Sequence, residues 1–502
     1  MRRLPLAIVA GMLVASSVPP WGFWPLAFPG ITLLAFALDG RRARTRALLG
    51  LVFGFGLFGP TLFWISEFHA VGYVLLLLLE GSFFAAAAAL VPADRSRAAA
   101  VLALPAAYVL AETARGVVPF GGLPMGGLPL GQVTGPLAPS ARLGGAYLLT
   151  GVAVAAGAAL AAAAWRHHRL AAALVVIPAA AAALGFVAPD GSPRRRIDVT
   201  VVQGGGPRGF RAVDTDPADV LLAHLAVSEG LRPPLDLAVW PENTIDVPSL
   251  DGSVEADSLA AVAVRSDATV VAGVTEDAGV DNFQNVSVAW DPEGRIVDRY
   301  VKAHRVPFGE YVPLRGLLER LVDLSVLPRD AVAGKGPGIL HTPAGDLGVA
   351  ISYEVFFGER GRAAAQAGGQ LLLVPTNAAS FTSSQVPTQE VASAQLRAWE
   401  TGRWVVMSAP TGYGAFIDHR GRVHARTTLS RAELLRGRPE LRDGDTLYVA
   451  FGDLPLVLLA IALLALAWLL SRRSAVDSSA PPRPAGAHWA SASEPGSSDP
   501  PR

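Results

Sequence analysis

The 502-residue chain is 51% hydrophobic and only 17% charged, with Lys+Arg and Asp+Glu equal at 42 each. That is too apolar for an ordinary soluble enzyme, and the balanced charge gives no reason to expect nucleic acid as a partner. Cysteine is absent, which excludes disulfides, cysteine metal sites and a cysteine nucleophile. Of the 42 basic residues only Lys302 and Lys335 are lysines, so a lysine that stands against the arginine bias draws attention.

Taken in chain order, apolar runs crowd the first 190 residues and recur once near the end. The candidate spans are about 4–18, 24–39, 47–67, 71–91, 98–114, 145–165, 170–188 and 454–471. Several approach the ~20 residues that cross a bilayer, and the first two are shorter. Arg2-Arg3, the group Arg41, Arg42, Arg44 and Arg46, the pair Arg95 and Arg97, Arg166 to Arg169, and Arg472-Arg473 occupy every second connection. Basic connections stay cytoplasmic, so both termini are expected inside and the segment before the last span outside. Ionisable residues within the spans, Glu67, Glu80, Glu112 and Arg115, are expected to have mainly structural roles. Trp21, Trp24, Trp64 and Phe68 are expected at the membrane interface. The Gly/Pro-rich stretch 117–145 is too broken for a helix and predicts a loop outside the membrane that can dip into its interface. The last residues, rich in Ser, Pro and Ala, predict a disordered cytoplasmic tail.

From about 194 to 450 short β-rich runs alternate with helical ones. Strands are predicted at 197–203, 236–240, 269–275, 285–290, 348–353, 370–375 and 404–409, and helices at 216–230, 257–266, 359–367 and 389–401. Apolar strands between helices mean helix-covered sheets. The whole chain therefore divides into a multi-pass α-helical domain, 1–190, an extracytoplasmic α/β domain, 191–452, a last membrane helix, 453–472, and the tail, 473–502.

Three segments of the α/β domain carry chemistry. Val239-Trp240-Pro241-Glu242-Asn243-Thr244 holds a carboxylate just past a buried strand. The second, Tyr300-Val301-Lys302-Ala303-His304-Arg305-Val306-Pro307-Phe308-Gly309-Glu310-Tyr311, contains one of the two lysines, and Gly348-Val349-Ala350-Ile351-Ser352-Tyr353-Glu354 is the third. A base, a fixed cation and a nucleophile are what acyl transfer needs: the base activates the nucleophile and the cation steadies the oxyanion. His304 is expected to support the Lys302 loop, and Lys335 to be a solvated turn residue.

With these motifs in this order the chain resembles the apolipoprotein N-acyltransferase family, the membrane-embedded branch of the nitrilase superfamily. Further likenesses are Gly54-Phe55-Gly56-Leu57-Phe58-Gly59, Gly131-Gln132 with Gly135-Pro136-Leu137, and Val202-Gln203-Gly204. The resemblance implies about eight spans and a nitrilase-like α-β-β-α sandwich. It also implies a bacterial inner-membrane enzyme that moves an acyl chain from a phospholipid donor to the N-terminal amine of a diacylglyceryl lipoprotein. No metal or organic cofactor is expected. Glu242 matches the family's general base, Lys302 its oxyanion-stabilising lysine, and Glu310 and Glu354 its supporting glutamates, with Tyr353 beside them. Ser352 stands where the family has its nucleophilic cysteine.

The chain departs from the family pattern elsewhere too. The family's Asp-Ala-Trp-Phe-Gly after Asn is replaced by Ala378-Ala379-Ser380-Phe381-Thr382, and a pair of asparagines by Pro410-Thr411. An asparagine after the Gln-Gly pair is also missing. A serine hydroxyl holds its proton more tightly than a thiol. Two alternatives therefore stand beside the transferase: an impaired homologue that binds lipid or lipoprotein as an accessory, and an amide or ester hydrolase. The loops 308–318 and 380–388 are expected to gate a site reached from the lipid.

Overall fold

In the computed structural model, residues 3–93, 97–209, 214–320, 324 and 327–479 are described. Seven helices precede the α/β domain: α1 (Leu4–Ala15), α2 (Ala27–Leu38), α3 (Ala43–Thr61), α4 (Ala70–Leu90), α5 (Ala98–Arg115), α6 (Ala141–Ala164) and α7 (His168–Val187). Among the described residues five helical stretches are long and apolar enough to cross a membrane: Ala70–Leu90, Ala98–Arg115, Ala138–Ala164, His168–Val187 and Leu454–Arg472. α1 and α2 are apolar but shorter, and α3 begins with Arg44 and Arg46.

The stretch predicted as an irregular loop is folded into the helix bundle. Short 3-10 turns form at Leu128–Gly131 and Ala138–Ser140, and much of the stretch is buried. α6 already starts at Ala141 and is broken at Gly144 and Gly145. Gly145 has φ +63°, and a β-carbon there would come within 2.4 Å of the Tyr448 ring, so glycine is required.

The α/β domain follows as β1 (Ser192–Arg196), β2 (Val199–Gln203), α8 (Pro217–Ser228), β3 (Leu237–Val239), β4 (Ile245–Val247), α9 (Val254–Ser266), β5 (Thr269–Asp277), β6 (Asn282–Trp290) and β7 (Ile296–Val301). Then come α10 (Arg315–Leu318), β8 (Asp330–Ala331), β9 (Ile339–Thr342), β10 (Gly345–Val349), α11 (Gly358–Gln366), β11 (Leu371–Pro375), α12 (Gln385–Thr401) and β12 (Val405–Ser408). β13 (Ala415–Ile417), β14 (Val423–Arg426), β15 (Glu433–Gly437), β16 (Glu440–Asp443) and α13 (Leu447–Phe451) complete it, and α14 (Leu454–Ser479) follows as the last apolar helix. α14 runs past the predicted end of the last span, so the start of the expected tail is helical; 480–502 lie outside the described residues.

Two sheets stack face to face. One has the order β14-β13-β12-β11-β10-β9, the other β15-β2-β3-β5-β6-β7 with β4 and β8 attached to its side. Strand alternation divides the side chains cleanly. On β11, Leu371 and Leu373 join Val201, Val239 and Val349 between the sheets. Leu372 and Val374 point the other way, into a core shared with α12 and the membrane helices. The second sheet buries Val202, Ala238 and Val270 with Leu259 and Val262 of α9. Helix, sheet, sheet and helix thus form the expected sandwich, and one of its helix layers is continuous with the membrane core.

α12 makes the junction. Gln385 accepts from the Trp64 N–H at 3.0 Å and donates to the Pro60 carbonyl at 2.7 Å. Gln389 accepts from the Gly126 N–H at 3.0 Å and donates to the Thr61 carbonyl at 2.8 Å. Trp64 and Phe68, expected as interfacial aromatics, pack edge-on against Phe381 of the α/β domain at 5.0 and 5.4 Å.

Candidate active site

β3 ends at Val239, and the chain continues past it in register: the Trp240 N–H donates to the Val271 carbonyl and the Gly273 N–H to that of Pro241. A β-carbon on Gly273 would lie 2.5 Å from the Glu242 α-carbon, so this close approach needs glycine. Glu242 is thereby pressed against β5 and is 3% exposed. Lys302, immediately after β7, reaches the same point and is 2% exposed.

The lysine ammonium donates to Glu242 Oε1 at 2.9 Å and to Glu310 Oε1 at 2.8 Å. Asn285 of β6 donates to the same two oxygens at 2.8 and 3.1 Å. The second Glu310 oxygen accepts from the Val306 N–H at 2.7 Å, which closes the loop after Lys302. Burial works against the ammonium charge, but the Glu242 and Glu310 carboxylates outweigh it and hold the Lys302 pKa above the usual lysine range. Burial pushes the Glu242 carboxyl up, against the pull of Lys302 and with Glu310 adding to the rise. A buried carboxyl beside a permanent cation suits a proton acceptor. Two of the three ammonium protons are committed to carboxylates, which leaves one for a substrate oxygen.

Glu354 joins this cluster to the serine. Its Oε1 accepts from the Ala303 and His304 N–H groups, both at 2.9 Å, and from the Tyr300 hydroxyl at 2.9 Å. Its Oε2 accepts from the Ile351 N–H at 2.8 Å. One carboxylate therefore pins the backbone on either side of the site. The predicted strand 348–353 stops at Val349, because a 3-10 turn, Ser352–Phe356, begins where the chain must bend. Ser352 has φ +50°, a strained value for a side-chain-bearing residue and one that accumulates at functional turns.

The six residues singled out from the motifs are not equivalent. Glu242, Lys302 and Glu310 form one ion cluster, Glu354 ties it to the Ser352 turn, and Tyr353 looks away: its hydroxyl donates to the Gly122 carbonyl of the membrane region at 2.7 Å. The Ser352 hydroxyl lies 3.4 Å from that of Thr376, its one side-chain hydrogen bond among the described residues. His304 stacks on Phe357 with ring centroids 3.7 Å apart, and burial, Arg360 and Lys302 push its pKa down to about 4. It is a neutral packing residue at physiological pH. Lys335 makes no ion pair among the described residues. Sequence reasoning missed Asn285, Thr376 and Glu390. The first two stood at predicted strand ends, where polar residues face the site; Glu390 was hidden in a helix that is buried at every position but Thr388.

No group of three or more His, Asp or Glu side chains among the described residues is arranged to hold a metal. What the arrangement offers is a base, an ammonium and a hydroxyl on a strained turn, the components of acyl transfer.

The comparisons with known proteins extend this reading to the whole chain. Residues 10–160 match the apolipoprotein N-acyltransferase N-terminal domain, and residues 198–437 match carbon–nitrogen hydrolase. The chain is 32% identical to apolipoprotein N-acyltransferase of Pseudomonas paraeruginosa, over 93% of its own length and 96% of the relative's. It is 29% identical to that of Photobacterium profundum, over 94% and 95%. Among solved structures, Saccharomyces cerevisiae Nit3, of the nitrilase superfamily, aligns with 49% of this chain and 91% of its own at 20% identity and a TM-score of 0.37. With both matched regions in order and relatives of this identity aligned nearly end to end, the chain belongs to the apolipoprotein N-acyltransferase family.

Proposed function

We propose that the chain transfers an acyl group from a phospholipid to the N-terminal amine of a diacylglyceryl lipoprotein, through an ester on Ser352. The observation that carries the reading is the buried Lys302 ammonium between Glu242 and Glu310, tied by Glu354 to the Ser352 turn. Relatives named for this activity along the full length favour the transferase over an accessory role.

In the first half-reaction Ser352 Oγ bonds to the donor's ester carbonyl carbon while Glu242 takes the hydroxyl proton. The third Lys302 proton steadies the oxyanion. The ester C–O bond then breaks, and the departing lysophospholipid oxygen takes the proton from Glu242. In the second, the amine attacks the Ser352 ester, Glu242 accepts an amine proton, and that proton returns to Ser352 as the amide forms.

The proposed topology is eight spans with the α/β domain outside the cytoplasm. Among the described residues of the Arg-rich connections, Arg97 pairs with Asp39 at 3.0 Å and lies over the Trp165 ring, so the residues beside three of these connections meet. Loops 308–318 and 380–388 are proposed as the gate. Phe308 packs edge-on to Phe120, and the Thr382 N–H donates to Glu67 at 3.0 Å, so both loops rest on the membrane region.

The test is intact-mass spectrometry of the purified protein after incubation with phospholipid, beside Ser352→Ala and Ser352→Cys. An acyl adduct on the wild type that is lost in Ser352→Ala supports the ester intermediate. No wild-type adduct, with a ready one on Ser352→Cys, would overturn serine catalysis.

A further inference from the structure

Thr376 stands directly after β11, and its hydroxyl faces two oxygens: Ser352 Oγ at 3.4 Å, and Oε1 of Glu390, with which it makes a short contact. A threonine hydroxyl has one proton and cannot donate in both directions. Glu390 decides which way it points. This glutamate is 3% exposed, and its Oε2 is buried with no hydrogen-bond partner among the described residues. An ionised carboxylate would leave charge on that bare oxygen, which costs far more than a neutral carbonyl oxygen does. Burial lifts the Glu390 pKa to about 8, with Glu242 adding to the rise and Thr376, Lys302 and Arg208 opposing it. Glu390 is also held firmly, because the adjacent Gln389 clamps α12 to the membrane region at Thr61 and Gly126.

We propose that Glu390 is a positioning residue, kept as a neutral carboxylic acid, whose proton goes to Thr376 and so turns the Thr376 hydroxyl into a donor to Ser352 Oγ. The proposal rests on Ser352 being the nucleophile. A donor at Oγ stabilises the alkoxide that develops during attack and leaves the serine's own proton free for Glu242. A thiol needs this help less, since it ionises near neutral pH and sulfur is a weak acceptor. The Glu390–Thr376 pair thus matters more to a hydroxyl than it would to a thiol.

The sign of the pH dependence follows. Ionised Glu390 can only accept, so Thr376 turns to it and Ser352 loses its donor. Activity falls as pH rises through about 8. Of the charged groups that face Glu390, Lys302 and Arg208 remain protonated in that range, and Glu242, as the base, governs the acid side.

The experiment measures the rate of Ser352 acylation by mass spectrometry on the full-length protein in phosphatidylethanolamine-containing micelles, from roughly pH 6 to 10. The wild type should lose rate on the alkaline side. Glu390→Gln, whose amide donates to Thr376 at every pH, should stay within about threefold of wild type at neutral pH and lose the alkaline fall. Glu390→Leu and Thr376→Val should acylate about tenfold to a hundredfold more slowly. In a Ser352→Cys background Thr376→Val should cost less than about threefold, which also shows that the variant folds. A Glu390→Gln enzyme as slow as Glu390→Leu, or one that keeps the alkaline fall, overturns the proposal. Full acylation of lipoprotein by Ser352→Ala would instead remove the nucleophile reading beneath it, a separate outcome.

Discussion

Two buried cations, each gripped by two carboxylates, lie on either side of the junction between the membrane helices and the α/β domain. In the membrane region Arg115 donates to Glu80 at 2.5 Å, to Glu112 at 2.9 Å and to the Met125 carbonyl at 2.5 Å, and its guanidinium covers the Phe58 ring. In the α/β domain Lys302 donates to Glu242 and Glu310 and keeps a proton in hand. The first cluster is closed: a planar fork with fixed directions ties α4, α5 and the following loop together. The second is not: a point charge on a flexible stem keeps one ammonium proton without an acceptor among the described residues, the proton that the proposed function gives to a substrate oxygen. Similar charges in similar burial serve as a lock in one place and, in the function proposed above, as a reagent in the other.

The comparison breaks most sharply at the Lys302 cluster. Lys302→Met should lower acyl transfer by at least about a thousandfold, because the oxyanion loses its cation and two carboxylates are left facing each other. The readout is N-acylation of a diacylglyceryl peptide, with thermal unfolding in detergent as a control. Arg115→Met should do the reverse. Stranding Glu80 and Glu112 in a buried site should cost about 3–5 kcal/mol of stability, seen as a lower melting temperature or faster proteolysis, before any change in the chemical step. If Arg115→Met kept its melting point but lost activity, the lock reading would be wrong.

Glu354→Gln tests the tie between cluster and serine. The amide keeps the shape but weakens the bonds from Ala303, His304 and Ile351, so kcat should fall about tenfold to a hundredfold while donor KM changes little. The smallest effect belongs to the proposed gate. Phe381→Ala removes the ring that Trp64 and Phe68 pack against and should raise donor KM a few-fold with kcat nearly intact.

Much of the site was legible in the sequence because strand ends carry it. Glu242 and Glu354 each follow a buried apolar run, and a polar residue there can only face a loop or a site; Lys302 follows β7, a strand that is mostly exposed and carries Asp298 and Arg299, and it stood out as one of the two lysines. Thr376 also follows such a run, but a hydroxyl in a Thr-Asn pair reads equally well as turn chemistry. Glu390 was not legible at all. α12 is buried at every position but Thr388, so its polar residues show no exposed face from which periodicity could single one out.

What the sequence by itself determined is what local chemistry dictates: apolar runs that must leave water, basic connections that alternate, strands that alternate with helices, and the order of the three motifs. The tertiary structure decided the rest. It turned Tyr353 away from the site toward Gly122, folded the Gly/Pro-rich loop into the bundle, recruited Trp64 and Phe68 to the junction, and brought Thr376 and Glu390 beside Ser352. Those facts depend on contacts between segments far apart in the chain, where direction and distance, and not residue type, decide which polar groups meet.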